Sequence, residues 1–457
     1  MSDGIKFVLI GGGSYGWTPT LVNDMALNPA LHGMHVYLVD TDPSTLAIMV
    51  PLCQKISEIR QAGFVIEATG DLDAALPGAD FVGLTISTGG DKANQMDLEI
   101  PARYGIHQTV GDTVGPGGWS RSLRNIPVVT DIVRRVEKIA PHAWFMNYSN
   151  PMTTLTRTIN RVCDLRSMGI CHEVQGLLLH LAAFFGVDWR KDFTYRLAGI
   201  NHLIWMLDLT VQGHNGLECF REWSRDPGGF SKIGELGVPE ELILSGGINP
   251  HQIIKADQLD RTGCLTAAGD AHTAEFFSYY LRSEETMRRW GFDPGQRAHT
   301  FARGSGRAKY REHCLAMLDG SKPIPSLHSH EHADHTIAAL SGKGPALLTP
   351  LNLPNVGQID NVPRDAVVET MAYLDAGGTH PLAVGSLPLP ALHAVMQHIP
   401  NQEMIVEAGL TGNRELAVLA LANDPLIPSP DIAARIADDF FEAFRDQLPQ
   451  FNDRWSL

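Results

Sequence analysis

Four apolar runs of strand length recur through the first 150 residues: KFVLI at 6–10, HVYLVD at 35–40, DFVGLTIS at 80–87 and AWFMNYS at 143–149. Helix-like spacing of apolar positions separates them, and this rhythm predicts parallel βαβ units. Between the first two runs, TPTLVNDMALNP carries spaced apolar positions and stops at Pro29, as a short crossover helix does. Beyond about residue 165 the order changes. LLLHLAAFFG reads as a helix, TYRLAGINHLIWMLDLTVQG as strand-rich, and the stretch from 270 to 317 as long amphipathic helices. PALLTPLNLPNVGQIDNVP (345–363) reads as strands and turns, and the tail from IVEAGLTGNRELAVLALANDPL onward returns to helix. The expected fold class is α/β: a doubly wound parallel sheet over residues 1–165, then a mixed α+β domain over 166–457. No internal repeat or low-complexity tract interrupts it.

A length of 457 residues fits two or three domains, and 44% hydrophobic with 19% charged residues is an ordinary globular composition. The net charge of -15 matters more, because nucleic acid and anionic membranes both need clustered Lys and Arg. A small molecule is the expected partner, with no nucleic acid and no membrane. Six cysteines without a framework spacing suit free thiols in a reducing compartment, so a cytoplasmic location is expected. The N-terminal MSDGIKFVLIGGGSYG has no basic leader, and no apolar run approaches a membrane span.

GGGSYG at 11–16 fits G-x-G-x-x-G directly after KFVLI and before the first helical pattern, and Asp40 closes the second strand 24 residues beyond Gly16. This makes the parallel sheet Rossmann-like. Gly11 permits the tight turn, Gly13 lets a pyrophosphate approach the backbone, and Ser14 to Gly16 lead into a helix N-terminus that attracts an anion. Asp40 accepts from a ribose and repels a 2'-phosphate, which favours NAD over NADP. Asp42 competes for that role.

In GICHEVQG (169–176), Cys171 and His172 stand side by side, and His202 lies in AGINHLIWM. Singly, each reads as a buried residue. Together with EIPARYGIHQTVGDTVGPGGWSRSLRNIPV, NYSNP, SHEHA, NLPNVGQIDNVP and VEAGLTGNRELAVLALANDPL, they make the chain resemble glycoside hydrolase family 4, the NAD- and metal-dependent glycosidases. The resemblance implies that Cys171 and His202 bind Mn2+, that sugar hydroxyls complete its coordination, and that Asn150 and Asn201 contact substrate. It further implies hydride removal from the sugar C3 by NAD+, deprotonation at C2, elimination at C1, addition of water and return of the hydride, an exception to the two-carboxylate scheme. His172 is then the expected acid and Asp270 the expected base, with His272 as competitor and Cys264 where relatives often carry Tyr. Asp112 contacts sugar or cofactor, or serves a turn.

Relatives acting on 6-phosphosugars tend to carry an Arg where this chain has Asn94, so a non-phosphorylated α-glycoside is expected. An α-galacturonide or α-glucuronide is preferred, with Arg297, Arg303 or Arg307 as its cationic partner. The alternatives are an α-galactosidase or α-glucosidase of the same family, or an NAD-dependent hydroxy-acid dehydrogenase. The family implies a homodimer or homotetramer. Histidines 328, 330, 332 and 335 look like a metal tract and are discounted, because a spacing of two arranges them poorly around one ion.

Overall fold

The computed structural model describes residues 4–225, 253–329 and 331–454. Among these, thirteen strands form one sheet in the order β10-β8-β7-β12-β11-β6-β5-β4-β1-β2-β3, where β10 is Leu265–Thr266, with β13 (Gly378–Pro381) beside β12 and β9 (His214–Asn215) beside β8. Its parallel half comprises β1 (Lys6–Ile10), β2 (His35–Val39), β3 (Val65–Thr69), β4 (Phe81–Leu84), β5 (Trp144–Asn147) and β6 (Arg166–Gly169). The order 3-2-1-4-5-6 is that of a dinucleotide-binding sheet, with a crevice where the direction of winding reverses, between β1 and β4.

Each strand read from the apolar pattern is present. The pattern misses β3, an edge strand whose Val65 and Glu67 are exposed and which therefore carries no continuous apolar run, and the strands Val367–Asp375 and Gly378–Pro381, which lie beyond the last stretch read as strand. The crossover helix α1 (Trp17–Leu27) ends at Asn28, before Pro29.

The second half continues the same sheet. A single antiparallel pairing, Asn352 against Gly169, joins β6 to β11 (Leu347–Pro354), which pairs with β12 (Val367–Asp375). β12 then pairs with β7 (Phe193–Ile200), which forms a hairpin with β8 (Leu203–Val211). Between 270 and 317 the expected long helices are broken into Asp270–Glu275, Glu284–Arg289, Gln296–Ala302 and Ser305–Asp319. Gly291, Gly295 and Gly304 adopt positive φ at the breaks, which a side chain would disfavour.

The C-terminal helices fold back over the N-terminal half. Leu389–Thr411 packs so closely on Gly115–Ile139 that a Cβ at Gly409 would sit 2.4 Å from Ile126. Trp119 Nε1 donates to the Ala417 carbonyl at 2.7 Å, and Arg157 pairs with Glu403 at 2.6 Å. Among the described residues no helix is long and apolar enough to cross a membrane, and the six cysteines are unpaired.

Candidate active site

The glycine loop is built as a close approach. Gly11 has φ +87, and its amide and that of Gly12 both donate to the Val39 carbonyl at 2.9 Å, so the loop is sewn to the end of β2. Asp40 completes the seam: Oδ2 accepts from Gly13 N and Oδ1 from Asp42 N, both at 2.9 Å. A Cβ on Gly13 would lie 1.9 Å from Thr45 Oγ1 and 2.7 Å from Asp40 Oδ2. Asp42 is spent on α2 (Pro43–Ile59), where Oδ1 accepts from Ser44 N at 3.0 Å as the N-cap. Ser14 folds onto the start of α1, its Oγ accepting from Trp17 N at 3.3 Å. Ser14, Gly16 and Trp17 open onto a cleft of about 1410 Å³ that reaches His172, Arg297 and Glu331, so the nucleotide loop and the His172 region share one space.

Cys171 and His172 lie in the loop between β6 and the helix Glu173–Phe185, at the carboxyl end of the last parallel strand, where ligands of such sheets bind. Asn201 and His202 form the two-residue tip of the β7–β8 hairpin, with His202 in the left-handed region at φ 64. The short helix Asp270–Glu275 brings in His272. It is clamped from two sides: Glu173 Oε2 accepts from Gly269 N at 2.8 Å, and Glu275 Oε1 accepts from Val110 N at 2.6 Å and Gly111 N at 2.8 Å. The second clamp holds Asp112 opposite His272, with 3.7 Å between Oδ1 and Nδ1.

A relay orients His202. Thr113 Oγ1 donates its only proton to Asp112 Oδ1 at 2.6 Å, so the 2.8 Å contact with His202 Nδ1 requires that Nδ1 carry a proton and donate. Burial, with His272 beside it, pushes the pKa of His202 down to about 3, so the ring is neutral. Its Nε2 therefore keeps a lone pair for a ligand. The His202 and His272 rings lie 3.9 Å apart, and burial lowers His272 to about 4.

The remaining groups are tuned in opposite senses. Burial alone would lower His172, but the carboxylates of Glu331, at 3.1 Å from Nδ1, and of Glu173 and Glu369 outweigh it and lift the imidazole to about 9. Burial and the Glu369 and Glu173 charges push the Cys171 thiol well up. Burial raises Glu369 to about 7, with Oε2 accepting from Asn201 Nδ2 at 3.3 Å. The Asp112 carboxyl is held well below its ordinary range: burial opposes this, and the charges that His272 and His202 take on only at acid pH, with the permanent charge of Arg121, outweigh it. Asn150 Nδ2 donates to Asp112 Oδ2 at 3.2 Å.

A network of contacts through Asp112, Thr113, Glu173 and Glu369 thus connects Cys171, His172, His202, Asn150 and Asn201, of which His172 lines the cleft. Asp112, His202 and His272 form a group whose ligand atoms lie within 4.8 Å of one another, and Cys171 stands outside that trio, in the charge field of Glu369 and Glu173. Asp270 is otherwise engaged: its oxygens accept from Ile254 N at 2.9 Å and Lys255 N at 3.2 Å, at the start of the helix Ile253–Thr262. Cys264 is a core residue packed with Trp205 and Tyr280. Thr113, Glu173, Glu331 and Glu369 escaped the sequence reading. Thr113, Glu173 and Glu331 stand inside the blocks GDTVGPGG, GICHEVQG and SHEHA that carry the resemblance, without a role of their own there, and Glu369 lies outside those blocks, a buried charge in β12. Asn94 accepts from Arg121 Nη1 at 3.1 Å. Of the three candidate arginines, Arg297 and Arg307 line the cleft, Arg307 with Asp42 at 3.7 Å and the Tyr15 ring beside it, and Arg303 does not line it.

The family 4 glycosyl hydrolase model matches residues 6–187, and the model of the family's C-terminal domain matches residues 197–427. The chain belongs to glycosyl hydrolase family 4. It is a hydrolase acting on glycosides. An alpha-galacturonidase of Bacillus subtilis is 34% identical over 439 residues, covering 93% of this chain and 94% of that one. The crystal structure of lplD from Bacillus subtilis superposes with a TM-score of 0.83 at 32% identity, covering 96% of this chain and all 100% of the other. A 6-phospho-alpha-glucosidase from gut microorganisms, in complex with NAD and Mn2+, shares the fold at TM-score 0.80 and 20% identity, over 98% and 100% of the two chains.

Proposed function

We propose that this family 4 enzyme hydrolyses non-phosphorylated α-uronides, α-galacturonides foremost, with NAD and a divalent metal, Mn2+ in the first instance. The observation that carries the reading is a concentration of buried polar atoms without a hydrogen-bond partner: Asn150 Oδ1, Asn201 Oδ1, His272 Nδ1 and Glu369 Oε1. Such atoms are costly unless something fills the space between them. Cys171, Asp112, Glu173 and Glu369 surround that space, and an anionic, mixed sulfur, nitrogen and oxygen donor set suits a divalent cation. For the dinucleotide, the absence of room for a Cβ at Gly13 is the matching feature. The likeness to the alpha-galacturonidase and the place of Arg297 in the cleft favour a uronate over a neutral sugar. Residues 1–165 would carry the nucleotide and 166–457 most of the metal and sugar contacts.

When bound, the nicotinamide supplies reversible hydride transfer at the sugar C3 and the ion polarises the adjoining oxygens. The chain supplies the rest. Cys171 and His202 hold the ion, with Thr113 setting the His202 tautomer. His172, kept protonated by Glu331, donates a proton to the leaving oxygen at C1. His272, whose Nδ1 has no hydrogen-bond partner, removes the C2 proton in place of Asp270, whose oxygens are engaged with backbone amides. Asn150 and Asn201 bind sugar hydroxyls, and Arg297 pairs with the uronate carboxylate.

Nitrophenyl α-galacturonide, α-glucuronide, α-galactoside and α-glucoside, assayed with and without NAD+ and Mn2+, test this directly. Turnover of the uronides that needs both additives, leaves no net NADH and falls on Arg297→Gln is expected. Preference for a neutral glycoside would assign the galactosidase or glucosidase activity of the family instead. In D2O the product should carry deuterium at C2, and His272→Asn should abolish that uptake. If Asp270→Asn abolishes it at unchanged thermal stability, Asp270 is the base.

A further inference from the structure

The segment SLHSHEHADH, which carries Glu331, holds a second cluster of metal-binding side chains. His328 Nδ1 is 3.4 Å and His335 Nδ1 3.5 Å from the same atom, Asp334 Oδ2, and the three ligand atoms lie within 4.8 Å of one another. The two rings stack with centroids 5.3 Å apart. We propose that His328, Asp334 and His335 form a second divalent-metal site, of the zinc type, separate from the active centre.

Geometry selects the class of ion. Zinc bonds of about 2.0–2.1 Å to nitrogen and oxygen place neighbouring ligands of a tetrahedron about 3.3–3.4 Å apart. The two separations from Asp334 match that edge, with the two histidines half-exposed so that water can take a fourth position. An octahedral ion with bonds of about 2.1 Å needs ligands near 3.0 Å. Two imidazoles and one carboxylate are also a donor set that suits zinc.

The charge around the cluster calls for a cation. Asp334 is 1% exposed, and Asp24 and Glu331, two further buried carboxylates, stand at 1% and 8%. Among the described residues the ion-pair partners of Asp334 are His328 and His335, and Asn28 Nδ2 donates to Oδ2 at 3.1 Å. The nearby Arg60 is directed to the Pro325 carbonyl and to Asn23 Oδ1. Neither imidazole is a permanent cation, so no fixed positive charge is paired with this buried carboxylate, and an ion supplies one. Sequence spacing concealed the site because His328 comes from a loop and Asp334 and His335 from the first turn of the helix Ala333–Leu340, with His332 at φ 52 turning the chain between them. His330, the fourth histidine of the tract, lies outside the described residues.

The position gives the site a purpose. Its ligands flank Glu331 in the chain, so an ion there closes a loop around the carboxylate that holds His172. It also fastens that loop to Asn28, at the end of α1. The ion acts as a staple behind the cleft rather than as a participant in bond cleavage.

The test is a Co2+ and Zn2+ titration of full-length protein carrying Cys171→Ala and His202→Ala, which silences the ligands assigned to the active centre. One equivalent of Co2+ with a tetrahedral d–d spectrum and no thiolate charge-transfer band is expected, together with a rise in Tm on adding Zn2+. Adding His328→Gln or His335→Asn should remove both signals. Both side chains are partly exposed, so these variants keep their fold, as circular dichroism will verify. Asp334→Asn provides a third variant with the same expected loss. Absence of bound Co2+ and Zn2+ in the starting protein, or binding that survives all three substitutions, would overturn the site.

Discussion

Thr113→Val removes the hydroxyl that connects Asp112 to His202 while keeping the shape of a residue that is 4% exposed, so no cavity is created. Two hydrogen bonds are lost, at 2.6 and 2.8 Å, and the Nδ1 proton of His202 is left buried without an acceptor. An unsatisfied buried donor costs about 1–3 kcal/mol, and the ring can escape by moving its proton to Nε2, the atom proposed as ligand. Either outcome weakens metal binding by about 10–100-fold, the range seen when an outer partner of a ligating histidine is removed. The assay is a Mn2+ titration of uronide hydrolysis, with NAD+ binding followed separately by fluorescence quenching. The Mn2+ midpoint should rise in Thr113→Val and recover in Thr113→Ser, which keeps the hydroxyl, and NAD+ affinity should stay put. An unchanged Mn2+ midpoint in Thr113→Val would refute the relay and the ligand role of His202 with it.

Glu331→Gln should move the alkaline limit of kcat/KM. In the acid role proposed for it, His172, raised to about 9, works only when protonated, so activity should be present below that pH and lost above it, and removing the Glu331 charge should shift the loss toward neutral pH. An identical pH profile would remove His172 from the acid role. Gly13→Ala places a methyl 1.9 Å from Thr45 Oγ1, so NAD+ binding measured by calorimetry should be abolished or severely weakened, and wild-type affinity would show that the dinucleotide lies elsewhere. Arg124→Met strands Asp97, its buried bidentate partner at 2.7 Å, and should cost about 3–5 kcal/mol of stability in denaturant titrations. Arg124→Met combined with Asp97→Leu should recover most of that loss, and no recovery would show that the pair matters through its other contacts.

The apolar rhythm of the first half was sufficient for the parallel sheet, because strands covered on both faces are continuous apolar runs and GGGSYG can be read from local backbone requirements alone. The edge strand β3 left no such run, and the glycine breaks between 270 and 317 turned apparent long helices into short ones. Cys171, His172 and His202 were legible as chemistry, since reactive residue types stand in short recognisable blocks. Their partners were not. Thr113, Glu173, Glu331 and Glu369 come from four separate segments, and a threonine that sets a tautomer or a glutamate that raises an imidazole looks like any other until the chain folds. Asp270 and His272 show the limit most plainly. Two residues apart on one short helix, they are nearly equivalent as candidates in sequence. Only packing turns the first toward the amides of Ile254 and Lys255 and the second toward Asp112, because a helical offset of two points side chains to different sides. The same holds for the histidine tract, where spacing argued against a common ion and the turn at His332 brought His328, Asp334 and His335 together.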